Sequence, residues 1–370
     1  MRSATMSRKL ALSVVLCLGA WGCSSAKGGG GGSGGTSGQP SGSGGVGLGG
    51  SGGGPIGSGG SMTTVQTGGM TGSGGSRTGG SGTGGSSTGG AGTSATGSGG
   101  AAGGDCTVGA WPAADPSAAG PFATVTEQNV GPVAGAGIDG GAPPQFTLFR
   151  PKDMAQGGLC HPVITWGNGT GATPTMYKVL LNNLASHGFV VIGSNSPNVA
   201  QGNPAPMVVG VTWVLAQNDD PTSALYHRID TTHIGATGHS QGAMATSKAS
   251  ADSHITVSVP IEGAQVQRSL HGPAMFFCGG QDTVVGCSGA QSAIDAVTTL
   301  PAMYAEYLSV DHGSWLTFTG NKPSPVETAV TAWMRVHLMG DVALRPWFYG
   351  ATCKLCQDSA WKISQKNMDQ

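Results

Sequence analysis

From residue 105 onwards, short hydrophobic runs alternate with stretches in which hydrophobic residues recur every three or four positions. The first pattern predicts buried strands and the second predicts helices that cover them. The run 162–166 is almost wholly apolar, whereas Val179, Leu180 and Leu184 have helical spacing. We predict strands at 145–149, 162–166, 189–193, 233–237, 255–260, 274–278 and 303–309, and helices at 174–186, 207–216, 241–251, 288–298 and 326–338. Strands separated by helices indicate the α/β class, a mostly parallel sheet with helices on both faces.

Residues 27–104 have a different composition, dominated by Gly, Ser and Thr, and they hold more than half of the chain's 69 glycines. Such a segment cannot bury enough surface to offset the entropy of ordering it, so we predict a disordered linker. A Gly/Ser coil of this length has an end-to-end span of about 50 Å. The remaining residues, 105–370, are numerous enough for one large domain.

The first 26 residues have the features of an export signal. Three basic residues precede the apolar run 10–20, which is too short to span a bilayer. Cys23 follows in a context that resembles a lipoprotein box, and its lipidation would attach the protein to a membrane. Ordinary signal cleavage with free release is the alternative. We therefore expect an exported protein, either a surface or outer-membrane lipoprotein or a secreted one.

Six cysteines lie beyond the signal region, and an even number in an exported chain favours disulfides. Near neighbours should pair as Cys278–Cys287 and Cys353–Cys356, which leaves Cys106 for Cys160. No Cys or His group has the spacing of a zinc site, and we predict no metal and no cofactor. The formal net charge is −1 without a basic patch, which argues against nucleic acid as a partner.

Ser240 is the central residue of Gly238-His-Ser-Gln-Gly242, a G-x-S-x-G motif. The pattern alone is weak, because the linker matches it at Ser33 and Ser51. At Ser240, however, a predicted strand precedes the motif and a helix of small residues follows it. That setting is typical of a nucleophile elbow, in which glycines permit a tight turn and the serine is raised above the sheet. The alternative is a glycine-rich turn with an incidental serine.

A serine hydroxyl needs a neighbouring base, and in this arrangement an acid and then a histidine follow the serine along the chain. Asp282 stands just beyond the strand 274–278 and a glycine turn, so we predict that it is the acid. Asp295 lies on a predicted helix, and Asp311 is adjacent to the candidate histidine and should point away from it. Both are weaker candidates.

His312 follows the strand 303–309 in a short loop, and we predict that it is the base. His337 also comes after the acid, but it lies within the last amphipathic helix, where a packed or solvated role fits better. A loop histidine without a catalytic role is the alternative for His312.

Acyl transfer also needs donors for a developing oxyanion. The backbone N–H of Gln241 stands directly after the candidate nucleophile, at a helix N-terminus. We expect a second donor from the glycine-rich loop 167–171. Trp166 and Trp315 flank this loop and the histidine, and either wall a substrate cleft or belong to the core. Only 261–272 separates two consecutive strands here, which is too short for a lid and predicts an open cleft.

With these residues assembled, the domain resembles the cutinase-like polyesterases and poly(ethylene terephthalate) hydrolases of the α/β-hydrolase superfamily, near the dienelactone hydrolase and chlorophyllase groups. The motifs that carry the resemblance are 184–191 (LASHGFVV), 238–242 (GHSQG), 273–282 and 309–312. The resemblance implies the α/β-hydrolase fold without a large cap domain, hydrolysis of esters, and a triad at the three candidate positions.

Two positions depart from that family. Thr170 stands where the polyesterases have an aromatic oxyanion residue, and its backbone is our candidate for the second oxyanion donor. Ala264 falls near the position of the tryptophan that lines their aromatic-binding cleft. The resemblance therefore implies ester hydrolysis more firmly than a polymeric substrate.

The leading hypothesis is a secreted or lipid-anchored serine hydrolase that cleaves small or polymeric carboxylic esters through an acyl-enzyme on Ser240, with Asp282 and His312 completing the triad. An amidase or acyltransferase would use the same elbow. A catalytically weak or inactive surface-binding protein on a hydrolase scaffold is the alternative from another class. The sequence makes no prediction about oligomeric state.

Overall fold

The computed structural model describes residues 105–132, 136–138, 142–317, 320 and 322–368. The predicted signal region, Cys23 and the predicted linker at 27–104 lie outside the described residues. Within the described part of the chain, no helix combines the length and the apolar character that crossing a bilayer requires.

One sheet runs through the described domain. Its strands, in chain order, are β1 Thr124–Val130, β2 Phe146–Pro151, β3 His161–Gly167, β4 Val190–Ser194, β5 Ile229–His239, β6 Ile255–Ile261, β7 Ala274–Gly279, β8 Ala302–Tyr307 and β9 Trp361–Lys366. Their spatial order is β1-β2-β4-β3-β5-β6-β7-β8-β9. The strands from β4 to β8 in this order pair in parallel, whereas β1, β2 and β9 form antiparallel edges.

Helices cover both faces of this sheet. They are α1 Lys178–Ser186, α2 Ala205–Asp219, α3 Gln241–Ala249, α4 Ser288–Ala296, α5 Pro325–Leu338 and the short α6 Lys354–Gln357. Ile164 packs in the core on the side of α1 and α5, and its neighbour Val163 packs on the side of α2 and α3. Successive side chains in a strand point to opposite faces, so β3 is an apolar run because both faces are buried. The predicted α/β class is confirmed.

The predicted elements correspond to observed ones, with shifted ends. The helix predicted at 174–186 begins as a 3-10 turn, Pro174–Tyr177, and becomes α-helical at Lys178. β1 and β9 were not predicted. Both are antiparallel edge strands with several partly exposed or exposed polar positions, so neither forms an apolar run.

No helix or strand lies in the described segment 262–273 between β6 and β7. The shortness of this connection predicts that it contains no lid, and its described residues include no element that could form one. The segment begins at the carboxyl end of β6, on the edge where α/β proteins gather their functional side chains.

Three disulfides close loops of very different length, and they are the three pairs predicted from the sequence. Cys106–Cys160 joins residues 54 apart and attaches the segment before β1 to the strand β3. Cys278–Cys287 spans 9 residues and encloses the turn after β7, and Cys353–Cys356 spans 3. The residues after α5 pack back on the domain, since Phe348 is fully buried in the larger core cluster.

The long loop makes Cys106–Cys160 the disulfide with the largest expected effect on stability. Replacing both cysteines by alanine should lower the free energy of unfolding by about 4 kcal/mol, because the unfolded chain regains the entropy of an open loop. The matched Cys353→Ala, Cys356→Ala variant should lose only about 2 kcal/mol. Urea unfolding of both variants under oxidising conditions measures the difference. A larger loss in the second variant would contradict the loop-entropy account.

Candidate active site

Ser240 lies on a sharp turn between β5 and α3. Its backbone has φ 58° and ψ −122°, a conformation that residues other than glycine rarely adopt. The flanking glycines are required by packing. A Cβ on Gly238 would lie 2.6 Å from the carbonyl oxygen of Gly242, and a Cβ on Gly242 would collide with the backbone of Gly167. The turns that follow β3 and β5 therefore meet backbone to backbone beneath the serine.

The side chain of Ser240 lies next to His312. Its Oγ is 2.9 Å from His312 Nε2, within the distance that a proton transfer requires. His312 follows β8 in a tight turn and is largely buried, with 16% of its side chain exposed. The edge of the sheet thus brings together two residues that are 72 positions apart in the chain.

Asp282 lies on the other side of the imidazole. Its Oδ2 is 2.9 Å from His312 Nδ1, and its Oδ1 accepts hydrogen bonds from the backbone N–H groups of Val284 (2.8 Å) and Val285 (3.1 Å). Burial raises the pKa of the Asp282 carboxyl, but the hydrogen bonds from His312 and from the two N–H groups outweigh burial and hold the pKa below its usual value. Asp282 is therefore a carboxylate at neutral pH.

The competing candidates lie elsewhere. Asp295 is exposed on α4, where Gln291 donates a hydrogen bond to it, and Asp311 is exposed beside the histidine turn. His337 packs against Trp333 on α5, and burial lowers the pKa of its imidazole to about 3. His337 is thus a neutral, packed histidine.

The glycine-rich loop 167–171 lies against the elbow. A Cβ on Gly169 would come within 3.2 Å of Ser240 Cβ, which shows how closely this backbone approaches the serine. Thr170 follows with an exposed side chain whose hydroxyl donates to the carbonyl of Ala200 (3.2 Å). Gln241 follows Ser240 as the first residue of α3. The backbone N–H groups of Gln241 and Thr170 remain predicted oxyanion donors.

The cleft-wall interpretation of Trp166 and Trp315 is wrong, and the core interpretation holds. Trp166 is fully buried and Trp315 is only 2% exposed. The indole of Trp166 donates to Asn168 Oδ1, and that of Trp315 donates to Glu262 Oε2, both over 2.9 Å. Both tryptophans therefore belong to the core, and their indole hydrogen bonds hold the side chains of Asn168 and Glu262 in place.

Sequence reasoning missed a buried polar network behind the triad. Glu262, directly after β6, is fully buried, and its Oε2 lies 3.2 Å from His239 Nε2. His239 Nδ1 in turn is 3.0 Å from the hydroxyl of Tyr177, which accepts a hydrogen bond from the backbone N–H of Gly169 (3.1 Å). The sequence does carry a signal, since Glu262 follows a parallel strand as Asp282 follows the next one.

Burial controls ionisation in this network. Desolvation, helped by the neighbouring His312, lowers the pKa of His239 to about 3, so this imidazole is neutral. Desolvation also raises the pKa of Tyr177 to about 12. With His239 neutral, the hydrogen bonds have one consistent direction. Gly169 N–H donates to the Tyr177 oxygen, the Tyr177 O–H donates to His239 Nδ1, and His239 Nε2–H donates to Glu262 Oε2.

Two groups of described residues have ligand atoms close enough together to hold a metal. In the first, His239, Glu262 and His312, both ring nitrogens of His312 already take part in hydrogen bonds with Ser240 and Asp282. In the second, Cys278 and Cys287 form a disulfide, which leaves no thiolate to bind a cation. The geometry of both groups is therefore explained without a metal.

A groove of about 310 Å³ lies beside the elbow. A Cβ on Gly263, which lines it, would collide with the carbonyl oxygen of Ser240, so the groove begins next to the serine. Small and apolar residues dominate its lining, among them Met244, Ala264, Val266 and Val285. The groove is thus a mainly small and apolar surface next to the backbone of Ser240, and no residue of the predicted triad lines it.

Sequence comparison agrees with this arrangement. A sequence model of the PET hydrolase-like family matches residues 102–366, which include every residue of the candidate site. No curated protein matches the chain in a sequence search. The matched region covers most of the chain and the whole of the sheet. The chain therefore belongs to the PET hydrolase-like family, and its fold is the α/β-hydrolase fold.

Proposed function

We propose that this protein is an exported serine hydrolase that cleaves carboxylic esters through an acyl-enzyme on Ser240. The observation that carries the proposal is the 2.9 Å separation between Ser240 Oγ and His312 Nε2, with Asp282 at 2.9 Å on the far side of the ring. Membership of the PET hydrolase-like family supports an ester as the substrate class. The order Ser, Asp, His along the chain is the order used by hydrolases with this elbow.

In the first half-reaction, Ser240 Oγ attacks the ester carbonyl carbon while its proton passes to His312 Nε2. Asp282 keeps the other ring proton on Nδ1, so that Nε2 is free to accept. The oxyanion receives hydrogen bonds from the backbone N–H groups of Gln241, at the positive end of α3, and of Thr170. His312 then returns its proton to the leaving alcohol, and the acyl group remains on Ser240.

Water completes the cycle by the same route in reverse. His312 removes a proton from a water molecule as its oxygen attacks the acyl carbonyl carbon. The tetrahedral intermediate collapses, the carboxylic acid leaves, and Ser240 Oγ regains the proton from Nε2. Within the protein, only Ser240 and His312 change protonation state during this cycle.

Ser240→Ala should lower kcat for a p-nitrophenyl ester by about 10⁴-fold or more, because the nucleophile is gone while binding is left intact. It should also abolish labelling by a fluorophosphonate probe. Ser269→Ala, at an exposed loop serine, is the control and should label like wild type. Undiminished turnover in the Ser240 variant would end the proposal, and unlabelled wild-type protein would favour the inactive-scaffold alternative.

The groove beside Ser240 supports a small, apolar ester rather than an aromatic polymer as the preferred substrate. Ala264, which lines the groove, and Thr170 are both small where an aromatic clamp would need large flat side chains. Residues 262–273 add no helix that could close over the site. Substrate should therefore enter without the opening of a lid.

A series of p-nitrophenyl esters from acetate to decanoate, extended to a poly(ethylene terephthalate) film, tests this preference. Short and medium chains should give the highest kcat/KM, and release of soluble products from the film should be slow by comparison. The hydrolysis rate should also rise smoothly as the concentration of each ester passes its solubility limit, since the described residues 262–273 form no lid that would have to open. A sharp rise at that limit would contradict the open-groove account.

We also propose that the exported chain is anchored to a membrane through lipidated Cys23, with 27–104 acting as a flexible tether. The support is the sequence alone: an apolar run, a cysteine in a lipoprotein-like context and a long Gly/Ser segment.

Cys23→Ala should move the protein from the membrane fraction to the medium in a bacterial host that processes lipoproteins. The wild-type protein should show the added mass of a diacylglyceryl group and a fatty acid by intact mass spectrometry. Cys17→Ala, within the apolar run, is the matched control and should remain in the membrane fraction. An unmodified wild-type mass beginning after another residue would refute lipidation.

A further inference from the structure

Glu262 is a second carboxylate at the end of a parallel strand, next to the one that carries Asp282. It follows β6, is fully buried, and is held with a positive φ of 51° that non-glycine residues rarely adopt. Its Oε2 accepts hydrogen bonds from the backbone N–H of Gly313 (2.9 Å) and from the indole N–H of Trp315 (2.9 Å). Both donors belong to the turn that carries His312.

This carboxylate also lies close to the catalytic imidazole. Glu262 Oε2 is 3.7 Å from His312 Nδ1, whereas Asp282 Oδ2 is 2.9 Å from the same nitrogen. Its other oxygen, Oε1, is buried and has no hydrogen-bond partner among the described residues. An ionisable group with an unsatisfied oxygen is expensive to bury, and a packed apolar residue would be more stable there. A role at the neighbouring histidine explains why the group is present.

We propose that Glu262 is a positioning residue for His312 that also serves as its reserve carboxylate. It holds the histidine turn in place, adds negative charge beside the imidazolium that forms when Ser240 is deprotonated, and accepts the Nδ1–H bond when Asp282 is removed. The proposal rests on the proposed ester hydrolysis at Ser240.

The contacts of Glu262 link the histidine turn to the elbow and, through further hydrogen bonds, to the loop 167–171. Gly313 and Trp315 belong to the histidine turn, and His239 is the residue before the nucleophile. Through His239 the network continues to Tyr177 and from there to Gly169 of the oxyanion loop. A single buried group thus fixes the base relative to the nucleophile and to the oxyanion donors.

Four ionisable groups face this carboxylate: His239 from the elbow, His312 from the turn after β8, Asp282 from the turn after β7, and Tyr177 from the segment before α1. Burial raises the pKa of Glu262 to about 7, although the bonds from Trp315 and Gly313 and the neighbouring His312 oppose it. Since its ordinary value is 4.5, the folded protein binds this proton more tightly than the unfolded chain. The contribution of Glu262 to stability is therefore greatest below pH 4.5 and is lost as the pH rises through 7.

The first test is Glu262→Gln, which keeps the shape of the side chain and its acceptor oxygen but removes the charge. We expect kcat to fall about tenfold with little change in KM, because a charge beside the imidazolium is lost in the transition state. The loss should be full at pH 8, where Glu262 is ionised, and should shrink as the pH falls through 7, because protonated Glu262 has no charge to remove.

Glu327→Gln is the matched control. Glu327 is also fully buried with a raised pKa caused by burial, but it caps α5 by bonding to Ser324 and lies outside the catalytic network. Its substitution should leave the pH profile of kcat unchanged. Glu262→Gln should melt no lower than wild type at pH 8, where wild type carries the full cost of the buried charge. A lower Tm with a loss of kcat that does not change with pH would make Glu262 a structural residue only and would overturn the proposal.

The second test compares substitutions at Asp282. Asp282→Ala frees the Nδ1–H of His312 to turn to Glu262, whereas the amide of Asp282→Asn donates to Nδ1 and imposes the wrong tautomer. The alanine variant should therefore keep at least about tenfold more kcat than the asparagine variant. Adding Glu262→Gln should reduce kcat about a hundredfold in the alanine background, against tenfold in wild type, because the two carboxylates substitute for each other.

If Glu262→Gln reduced kcat by the same factor in the Asp282→Ala background and in wild type, Glu262 would not take over from Asp282, and the reserve role would be refuted. The Cys278–Cys287 disulfide still closes the acid turn in the alanine variant, and fluorophosphonate labelling reports whether the elbow is folded. If the alanine variant does not fold, the pH profile of Glu262→Gln decides alone. If only the role of Glu262 is wrong, Ser240→Ala still loses ester hydrolysis. If the proposed function itself is wrong, Ser240→Ala keeps the activity of wild type, so the two failures can be told apart.

Discussion

The contact between two backbone turns is the constraint on which the site depends. The turn after β3 and the elbow after β5 approach so closely that Gly167, Gly238 and Gly242 leave no room for a Cβ. This contact holds Ser240 in a strained conformation and brings the glycine-rich loop 167–171 against it. The strain is sustained because the surrounding strands are buried on both faces and cannot relax. Ser240, the proposed nucleophile, is thus positioned by the backbone of the sheet rather than by its own side-chain contacts.

Burial then decides which groups near the serine are charged. The imidazole of His239 has a pKa lowered by burial to about 3, so it is neutral at neutral pH. Asp282 escapes the same effect because three donors stabilise its anion. The same low dielectric that disfavours isolated charges also strengthens the hydrogen bonds of His312 to Ser240 and Asp282, because water screens them less. His312 is the imidazole in contact with the Ser240 hydroxyl, at 2.9 Å.

The periphery of the domain restrains the site without covering it. Cys278–Cys287 closes the turn that carries Asp282, and Cys106–Cys160 attaches the segment that precedes the sheet. Buried Arg335 pairs with Asp341 and donates to the carbonyl of Pro112, which attaches that same segment to α5. The edge strands β1 and β9 complete the sheet with polar, partly exposed positions. The disulfides and the Arg335 contacts hold the surrounding segments in place, whereas other residues line the groove beside the elbow.

The sequence by itself determined the α/β class, the three disulfides and the residues that meet at the elbow, since apolar runs, cysteine spacing and strand-to-helix turns are local patterns. It did not predict β1 and β9, because edge strands lack a continuous apolar run. Only the tertiary structure decided that Trp166 and Trp315 are core and that Glu262 lies 3.7 Å from His312. The burial of these side chains and the raised pKa of Glu262 depend on segments that are distant in the chain but adjacent at one edge of the sheet. A local sequence pattern does not contain that information.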